Sequence, residues 1–288
     1  MKRALVVVLT SLLACCQQVT PSPHYVLGAP YQAGGVWYYP REDFSLRQTG
    51  LASVYGSGHP DLTADGEAFD QSVLAAGHQT VQLPAIARVT NLENGRQVVV
   101  RINDRGPATP HRVLEVTRRT ANLLGFPPNG VVRVRVEVLA DQSQAAVDAV
   151  PGAPALQIIA APRGEVTKSD LPAPGSAAPM PAVVAPKVAA SAVVSSSAPP
   201  LRLPEVVSQG QPDPGTLYVE LSDFQNYRYA NMQRARVAGL GARIDTRHEN
   251  AALVYRVLIG PINTVQQADS VLDQVLAAGV TDARIVVE

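Results

Sequence analysis

The chain holds 288 residues, with 24 Lys and Arg against 24 Asp and Glu; only 5% of it is aromatic, while 24 residues are proline. That length allows about two domains, and the mixture suits compact small domains joined by a segment that buries little. Zero net charge argues against a nucleic-acid partner or a polybasic membrane surface. Cys15 and Cys16 are the only cysteines, which excludes a disulfide framework or a cysteine metal site in the folded part.

The N-terminus has Lys2 and Arg3, an apolar stretch from Ala4 to Leu9, and then Leu12-Leu13-Ala14-Cys15. A positive start, a short apolar core and a small residue before a cut make a secretory signal, and the apolar run is too short to span a bilayer. Residues 1–14 read as that signal. The Leu12 to Cys15 run resembles the lipobox of bacterial lipoproteins. That resemblance implies that Cys15 becomes the lipidated first residue, tethering the chain to a membrane outside the cytoplasm. Cys16 in place of an aspartate after Cys15 resembles outer-membrane sorting. Residues 15–49 hold Tyr25 to Tyr31 and Trp37-Tyr38-Tyr39-Pro40, and are expected to pack as an irregular arm on the domain that follows.

Residues 50–140 read as mostly strands. Leu51 to Tyr55, Ile86 to Thr90, Gln97 to Ile102 and Val113 to Val116 are short and β-branched, and Val132 to Val138 alternates with period two. The arginines of that last strand are read as a solvated face. One short helix fits Arg118 to Leu124, with Thr117 as N-cap, Gly125 as stop and Pro127-Pro128 preventing continuation. Many short strands in a domain of this size suggest a small closed barrel.

Residues 141–214 are dominated by Ala, Pro, Val and Ser, as in Leu171-Pro172-Ala173-Pro174-Gly175 and Ser195-Ser196-Ser197. Such a segment buries too little to offset its chain entropy, and reads as a disordered linker; Gln157-Ile158-Ile159 is a sticky spot within it. Residues 215–288 follow the order strand, helix, strand, strand, helix, strand. The strands are Tyr218-Val219, Arg243-Ile244, Val254 to Ile259 and Ala283 to Val287. Val265, Ala268, Val271, Leu272, Val275 and Leu276 make one apolar helical face, opened by a Thr264/Gln267 capping pair and ended by Gly279. Two βαβ halves give a ferredoxin-like sandwich. The fold class is therefore mainly β plus α+β.

With no cysteine chemistry in the folded part, carboxylates and histidine are the main candidates. Two acidic positions lie in turn-like, glycine-flanked contexts: Asp65-Gly66-Glu67 and Asn103-Asp104-Arg105-Gly106-Pro107. Cleaving a glycosidic bond needs such a pair, one carboxyl protonated to donate to the leaving oxygen and one ionised to stabilise positive charge on the sugar. Both stretches are also ordinary turn sequences, so the residues by themselves leave catalysis and structure both open.

Residues 50–139 resemble the double-psi β-barrel of the rare lipoprotein A family of septal lytic transglycosylases. The matching stretches are Ala52 to Gly56, Thr63 to Asp70, Ala75 to Thr80, Arg88 to Arg96 and Val99 to Pro107. The C-terminal Tyr218 to Phe224 and Tyr255 to Pro261 resemble the first and third strands of SPOR domains, which bind glycan strands stripped of stem peptides. The resemblance implies a six-stranded double-psi barrel, a long Pro/Ala linker and a ferredoxin-like SPOR domain. It implies an endolytic enzyme cutting MurNAc-GlcNAc bonds in peptide-free strands to 1,6-anhydro ends, lipid-anchored at the periplasmic face, enriched at the septum and working in daughter-cell separation beside divisome proteins. No metal or organic cofactor is implied.

Carried over by position, the resemblance makes Glu67, Asp104 and His78 the catalytic set. Glu67 is expected to be the general acid and then the base on the sugar's 6-hydroxyl. Asp104 is expected to stabilise the oxocarbenium-like state and hold the Glu67 pKa up, and His78 to orient a carboxylate or the sugar. Arg105 anchors the turn. Tyr218, Glu220, Phe224, Tyr255 and Arg256 are the expected glycan contacts of the SPOR domain. Val54 stands where the family usually has tryptophan, Pro60-Asp61 where it has Gly-Arg, Glu115-Val116-Thr117 where it has Asp-Leu-Ser, and Glu220 where it has glutamine. The alternatives are a glycan-binding scaffold that does not cut, and a hydrolase that uses water and the same carboxylates.

Overall fold

The computed structural model describes residues 20–33, 36–107, 109–128, 130–154, 202–249 and 252–288. The expected signal peptide, Cys15, Gln157-Ile158-Ile159 and most of the expected linker lie outside the described residues.

The arm carries a hairpin of β1 (Tyr31–Ala33) and β2 (Val36–Tyr38). The barrel strands are β3 (Arg47–Val54), β4 (Ala75–His78), β5 (Ala85–Asn91), β6 (Arg96–Asp104) and β7 (Leu114–Val116). Helix α1 (Arg118–Leu124) then leads to β8 (Val132–Val138). The sheet order β4-β7-β3-β8-β5-β6 closes by a parallel pairing of β4 with the C-terminal end of β6, so the barrel has six strands. In the core, Leu83, Ile102 and Leu114 are fully buried, each stabilising the fold by roughly 1.5–3 kcal/mol.

Local signals hold where the chemistry is local. Strand β8 alternates buried and half-buried residues along its whole length. Thr117 caps α1 by accepting from the Thr120 backbone, and Gly125 ends it in the left-handed conformation at φ 73°. The arm lies on the barrel through a bridge of Val26 to Leu83 and another of Arg41 to Val81.

Strand β4 was not expected. Ala75-Ala76-Gly77-His78 has no β-branched residue and no alternation, yet all four are buried between β6 and β7. The linker expected over 141–214 is ordered at both ends. Helix α2 (Ala140–Asp148) folds back onto β5, with Ser143 Oγ bonded to both the N–H and C=O of Ile86. Strand β9 (Val207–Gln209) adds to the N-terminal half of β6. Neither segment has an apolar run of its own: α2 is polar and alanine-rich, and β9 is Val-Ser-Gln. The barrel's own unpaired backbone orders them.

The C-terminal domain is built from β10 (Leu217–Phe224), α3 (Tyr227–Arg236), β11 (Arg243–Glu249), β12 (Ala252–Ile262), α4 (Val265–Ala277) and β13 (Arg284–Val287). Its strands run antiparallel in the order β11-β12-β10-β13, the ferredoxin-like arrangement. Leu217, Val219 and Leu221 point to the helices and pack with Ala268, Leu272 and Val275 of α4. Thr264 caps α4 by accepting from the Gln267 N–H.

Barrel and C-terminal domain share an interface. Leu51 and Leu92 of the barrel belong to the same apolar cluster as Ile285 and Val287. Thr49 Oγ1 donates to the Val287 carbonyl at 2.8 Å, and Arg112 forks onto the Asp269 carboxylate at 2.6 and 3.0 Å. The arginines of β8, expected on a solvated face, hold the lead-in to β10: Arg133 bonds the carbonyls of Pro214 and Gly215, and Arg135 bonds Asp213.

Candidate active site

The loop from Thr63 to Glu67 is a tight turn over the end of β6. Thr63 and Glu67 exchange backbone contact, with Thr63 N–H donating to the Glu67 carbonyl at 2.9 Å, and the Glu67 N–H donates to Thr63 Oγ1 and Asp65 Oδ1. Gly66 sits at φ 81°, and a Cβ there would lie 2.4 Å from the Ser22 carbonyl. The arm runs that close because Ser22 and His24 donate their N–H groups to Gly66 and Asp65. The arm therefore braces the turn that carries Glu67.

On β6, Arg101 and Asn103 lie two residues apart and both reach Glu67. Arg101 Nε donates to Oε1 at 2.7 Å and Asn103 Nδ2 donates to Oε2 at 2.7 Å. Arg101 and Glu67 form a buried ion pair, each side chain less than a tenth exposed. The next residue, Asp104, faces a different set. Ala64 N–H donates to its Oδ1 at 2.8 Å, Tyr55 OH donates to Oδ2 at 3.1 Å, and His59 Nε2 lies 2.7 Å from Oδ2. A register shift makes this possible: Ala76 opposes Ile102 but Gly77 opposes Asp104, so Asn103 is an extra residue that re-aims the strand end. Burial and the Asp104 charge push the Tyr55 hydroxyl well above its usual range, keeping it a donor.

Gly77 is the gap into which Tyr55 fits, since a Cβ there would sit 2.4 Å from the Tyr55 hydroxyl. That side of β4 faces the carboxylates, and the neighbouring His78 therefore points the other way. Its Nδ1 accepts from the N–H groups of Thr80 and Val81, and its Nε2 lies 3.3 Å from Gln48 Oε1. Burial, then Arg105 and Arg41, pull its pKa down to about 3. The structure thus brings Glu67 and Asp104 together on adjoining segments and leaves His78 out. Arg105 does anchor the turn, donating to the carbonyls of Leu27, His78 and Val81. Glu115, cross-strand from Gly77, is buried on β7, and Val54 packs half-buried against the barrel core.

Four residues were missed. Arg101 and Asn103 had a usable signal, the period-two spacing just ahead of Asp104. Tyr55 stands in the expected strand Leu51 to Tyr55 and in the Ala52 to Gly56 stretch of the resemblance, with no site role assigned to it. His59, between Gly58 and Pro60, carried no signal. Beside Glu67, the fully buried Asp65 is pushed up to about 7 by burial and then by the Glu67 charge. A cavity of about 730 Å³ lined by Trp37, Tyr38, Arg47, Arg112 and Arg284 lies elsewhere, and neither catalytic candidate lines it.

In the C-terminal domain, Tyr218, Glu220 and Arg256 share the sheet face away from the helices. Arg243 covers the Tyr218 ring at 5.1 Å. Glu220 is not an isolated acid in place of an amide, because Arg256 and Arg284 both pair with it, while Arg256 also holds Asp245 and Glu288. Phe224 and Tyr255 do not join them; both pack against the helical core, and Tyr255 meets Tyr227 edge-on at 5.7 Å.

Residues 47–136 match the lytic transglycolase family and residues 213–285 match the SPOR domain family. An endolytic peptidoglycan transglycosylase RlpA of Pseudomonas aeruginosa is 32% identical over 290 residues, covering 92% of this chain and 79% of that relative. A Yersinia pestis protein of the same name is 41% identical over 138 residues, covering 47% of this chain and 37% of its own. The crystal structure of the RlpA SPOR domain from Pseudomonas aeruginosa is 23% identical at a TM-score of 0.24, covering 25% of this chain and 99% of that one.

Proposed function

The chain belongs to the RlpA family of endolytic peptidoglycan transglycosylases, and we propose that it cuts the MurNAc-GlcNAc bond of peptide-free glycan strands to leave 1,6-anhydro ends. The observation that supports this reading is the pair of buried carboxylates with unlike partners. Both Glu67 oxygens accept from groups that only donate, Arg101 and Asn103. Asp104 is instead bonded to His59, an imidazole that can pass a proton, and to the Tyr55 hydroxyl, which donates to it.

We therefore assign the proton transfers to Asp104 and the fixed negative charge to Glu67, the reverse of the roles expected from the sequence. Asp104 gives its proton to the glycosidic oxygen as the C1–O bond breaks, and the sugar takes on oxocarbenium character. The Asp104 carboxylate then takes the proton of the C6 hydroxyl as that oxygen bonds C1. The ring closes, no water is consumed, and Asp104 is returned to its starting state. Glu67, with Arg101 behind it, fixes the turn that holds Ala64 on Asp104. His78 shapes the 78–81 bend and takes no part in the transfer.

The SPOR face of Tyr218, Glu220 and Arg256 would hold the strand, and lipidation at Cys15 would keep the enzyme at the envelope, outside the cytoplasm; enrichment at the septum follows if peptide-free strands are concentrated there. Among the described residues no helix is long and apolar enough to cross a membrane. The test is mass spectrometry of peptide-free strands incubated with the protein lacking residues 1–16. Anhydro ends that vanish in Asp104→Asn support the reading. Reducing ends point to a hydrolase, and strands bound but uncut to a scaffold.

A further inference from the structure

His59 has so far entered only as a neighbour of Asp104, yet it makes the shortest side-chain contact of that carboxylate. Its ring is held by two aromatic neighbours that also pack on each other. It stacks on Phe69 at 3.7 Å and 17°, meets Tyr55 edge-on at 5.0 Å, and Tyr55 in turn meets Phe69 edge-on at 5.1 Å. Its two nitrogens face different oxygens: Nδ1 lies 2.7 Å from the Pro60 carbonyl, and Nε2 lies 2.7 Å from Asp104 Oδ2. Turning the ring over would set carbons against both oxygens.

A carbonyl can only accept, so Nδ1 carries a hydrogen. The contact at Nε2 then also needs one hydrogen, because a bare nitrogen against a bare carboxylate oxygen would repel. That hydrogen belongs to the imidazole or to the carboxyl. Either way, the pair holds a single proton between them.

On the reading that Asp104 makes the proton transfers, we infer that His59 is its positioning residue, holding in the Asp104–His59 pair the proton that is passed to the glycosidic oxygen. When that proton leaves, the pair becomes a neutral imidazole and an Asp104 anion facing the cationic sugar. When the C6 hydroxyl closes the ring, its proton returns to the pair, so the balance is complete without a co-reactant. His59 is also the pair's opening to solvent: its side chain is 15% exposed against 7% for Asp104. Tyr55 has a lesser part, since it only donates to the same oxygen and keeps its hydrogen.

The experiment compares wild type, His59→Gln and His59→Ala as full-length protein in detergent, on peptide-free strands, measuring kcat, KM and strand binding. His59→Gln keeps a hydrogen-bond donor but cannot carry a proton, and is expected to lose about 10²-fold in kcat, the lower end of what positioned proton transfer contributes, with KM and binding held within about twofold. In His59→Ala, added imidazole is expected to recover about tenfold of the loss, a recovery that a packing role would not show. In wild type, ¹⁵N resonances should show a hydrogen on Nδ1 of His59, a measurement that needs no variant to fold. A kcat for His59→Gln within about threefold of wild type, no recovery by imidazole, or a ring with its hydrogen on Nε2 alone would each overturn the inference. A wild type that binds but never cuts defeats the transglycosylase reading, and this inference with it; a wild type that cuts beside an unaffected His59→Gln defeats the inference alone.

Discussion

Replacing Asp65 with asparagine should change the pH dependence of folding. Asp65 is fully buried, its Oδ2 has no hydrogen-bond partner, and burial with the Glu67 charge raises its carboxyl from 3.8 to about 7. The unfolded chain ionises this group near its ordinary value, whereas the fold keeps the proton until about pH 7. Its contribution is therefore fully present below the ordinary value and is lost as pH rises to about 7. That gap corresponds to ~4 kcal/mol. Asparagine keeps the acceptor that serves Thr63 Oγ1 at 2.7 Å and the Glu67 N–H at 3.2 Å. Its amide nitrogen takes the unpartnered place, at a cost of about 1–3 kcal/mol for an unsatisfied donor. The variant should thus be less stable than wild type by about 1–3 kcal/mol near pH 4 and more stable by about 1–3 kcal/mol near pH 8. His78 titrates too, but in the opposite direction: its depressed pKa removes stability as pH falls below 6.5 toward about 3. It is present in both proteins and cancels in the difference. Calorimetric unfolding of both proteins across this range gives the answer, at roughly 2–4 °C per kcal/mol. A stability difference that stays constant with pH would refute the argument, as would a variant less stable than wild type at pH 8.

Three further outcomes follow from the same geometry. Glu67→Gln, isosteric on paper, leaves Arg101 buried without its carboxylate, and should lower stability by about 3–5 kcal/mol in urea titrations as well as stop cutting. Gly77→Ala places a methyl 2.4 Å from the Tyr55 hydroxyl; turnover on strands should fall by about tenfold, the lost Tyr55 bond being worth about 1.4 kcal/mol. Arg112→Ala removes both bonds to Asp269, and should cost about 1.5–3 kcal/mol and separate the barrel and SPOR transitions in calorimetry.

Legibility followed the range of the interaction. The α1 caps, the α4 stripe and the alternation of β8 are set by neighbours a few residues away, so the sequence shows them directly. Strand β4 has no such pattern; Ala75 to His78 are extended because β6 and β7 flank them. The same lack of pattern hid which face His78 would take, and it was placed with the carboxylates although Gly77 is the residue turned toward them. Helix α2 and strand β9 looked like linker because their composition is that of the linker, and only the open backbone of β5 and β6 distinguishes them.

By itself, the sequence determined the two domains, the barrel and sandwich classes, the family resemblance and the two carboxylates, because turn chemistry and hydrophobic period are properties of short stretches. Only the tertiary structure decided what each carboxylate touches. Glu67 meets Arg101 and Asn103 across 34 and 36 residues of chain, and Asp104 meets Tyr55 and His59 across 49 and 45. A proton's place depends on those contacts, which arise when the barrel closes β6 onto β4.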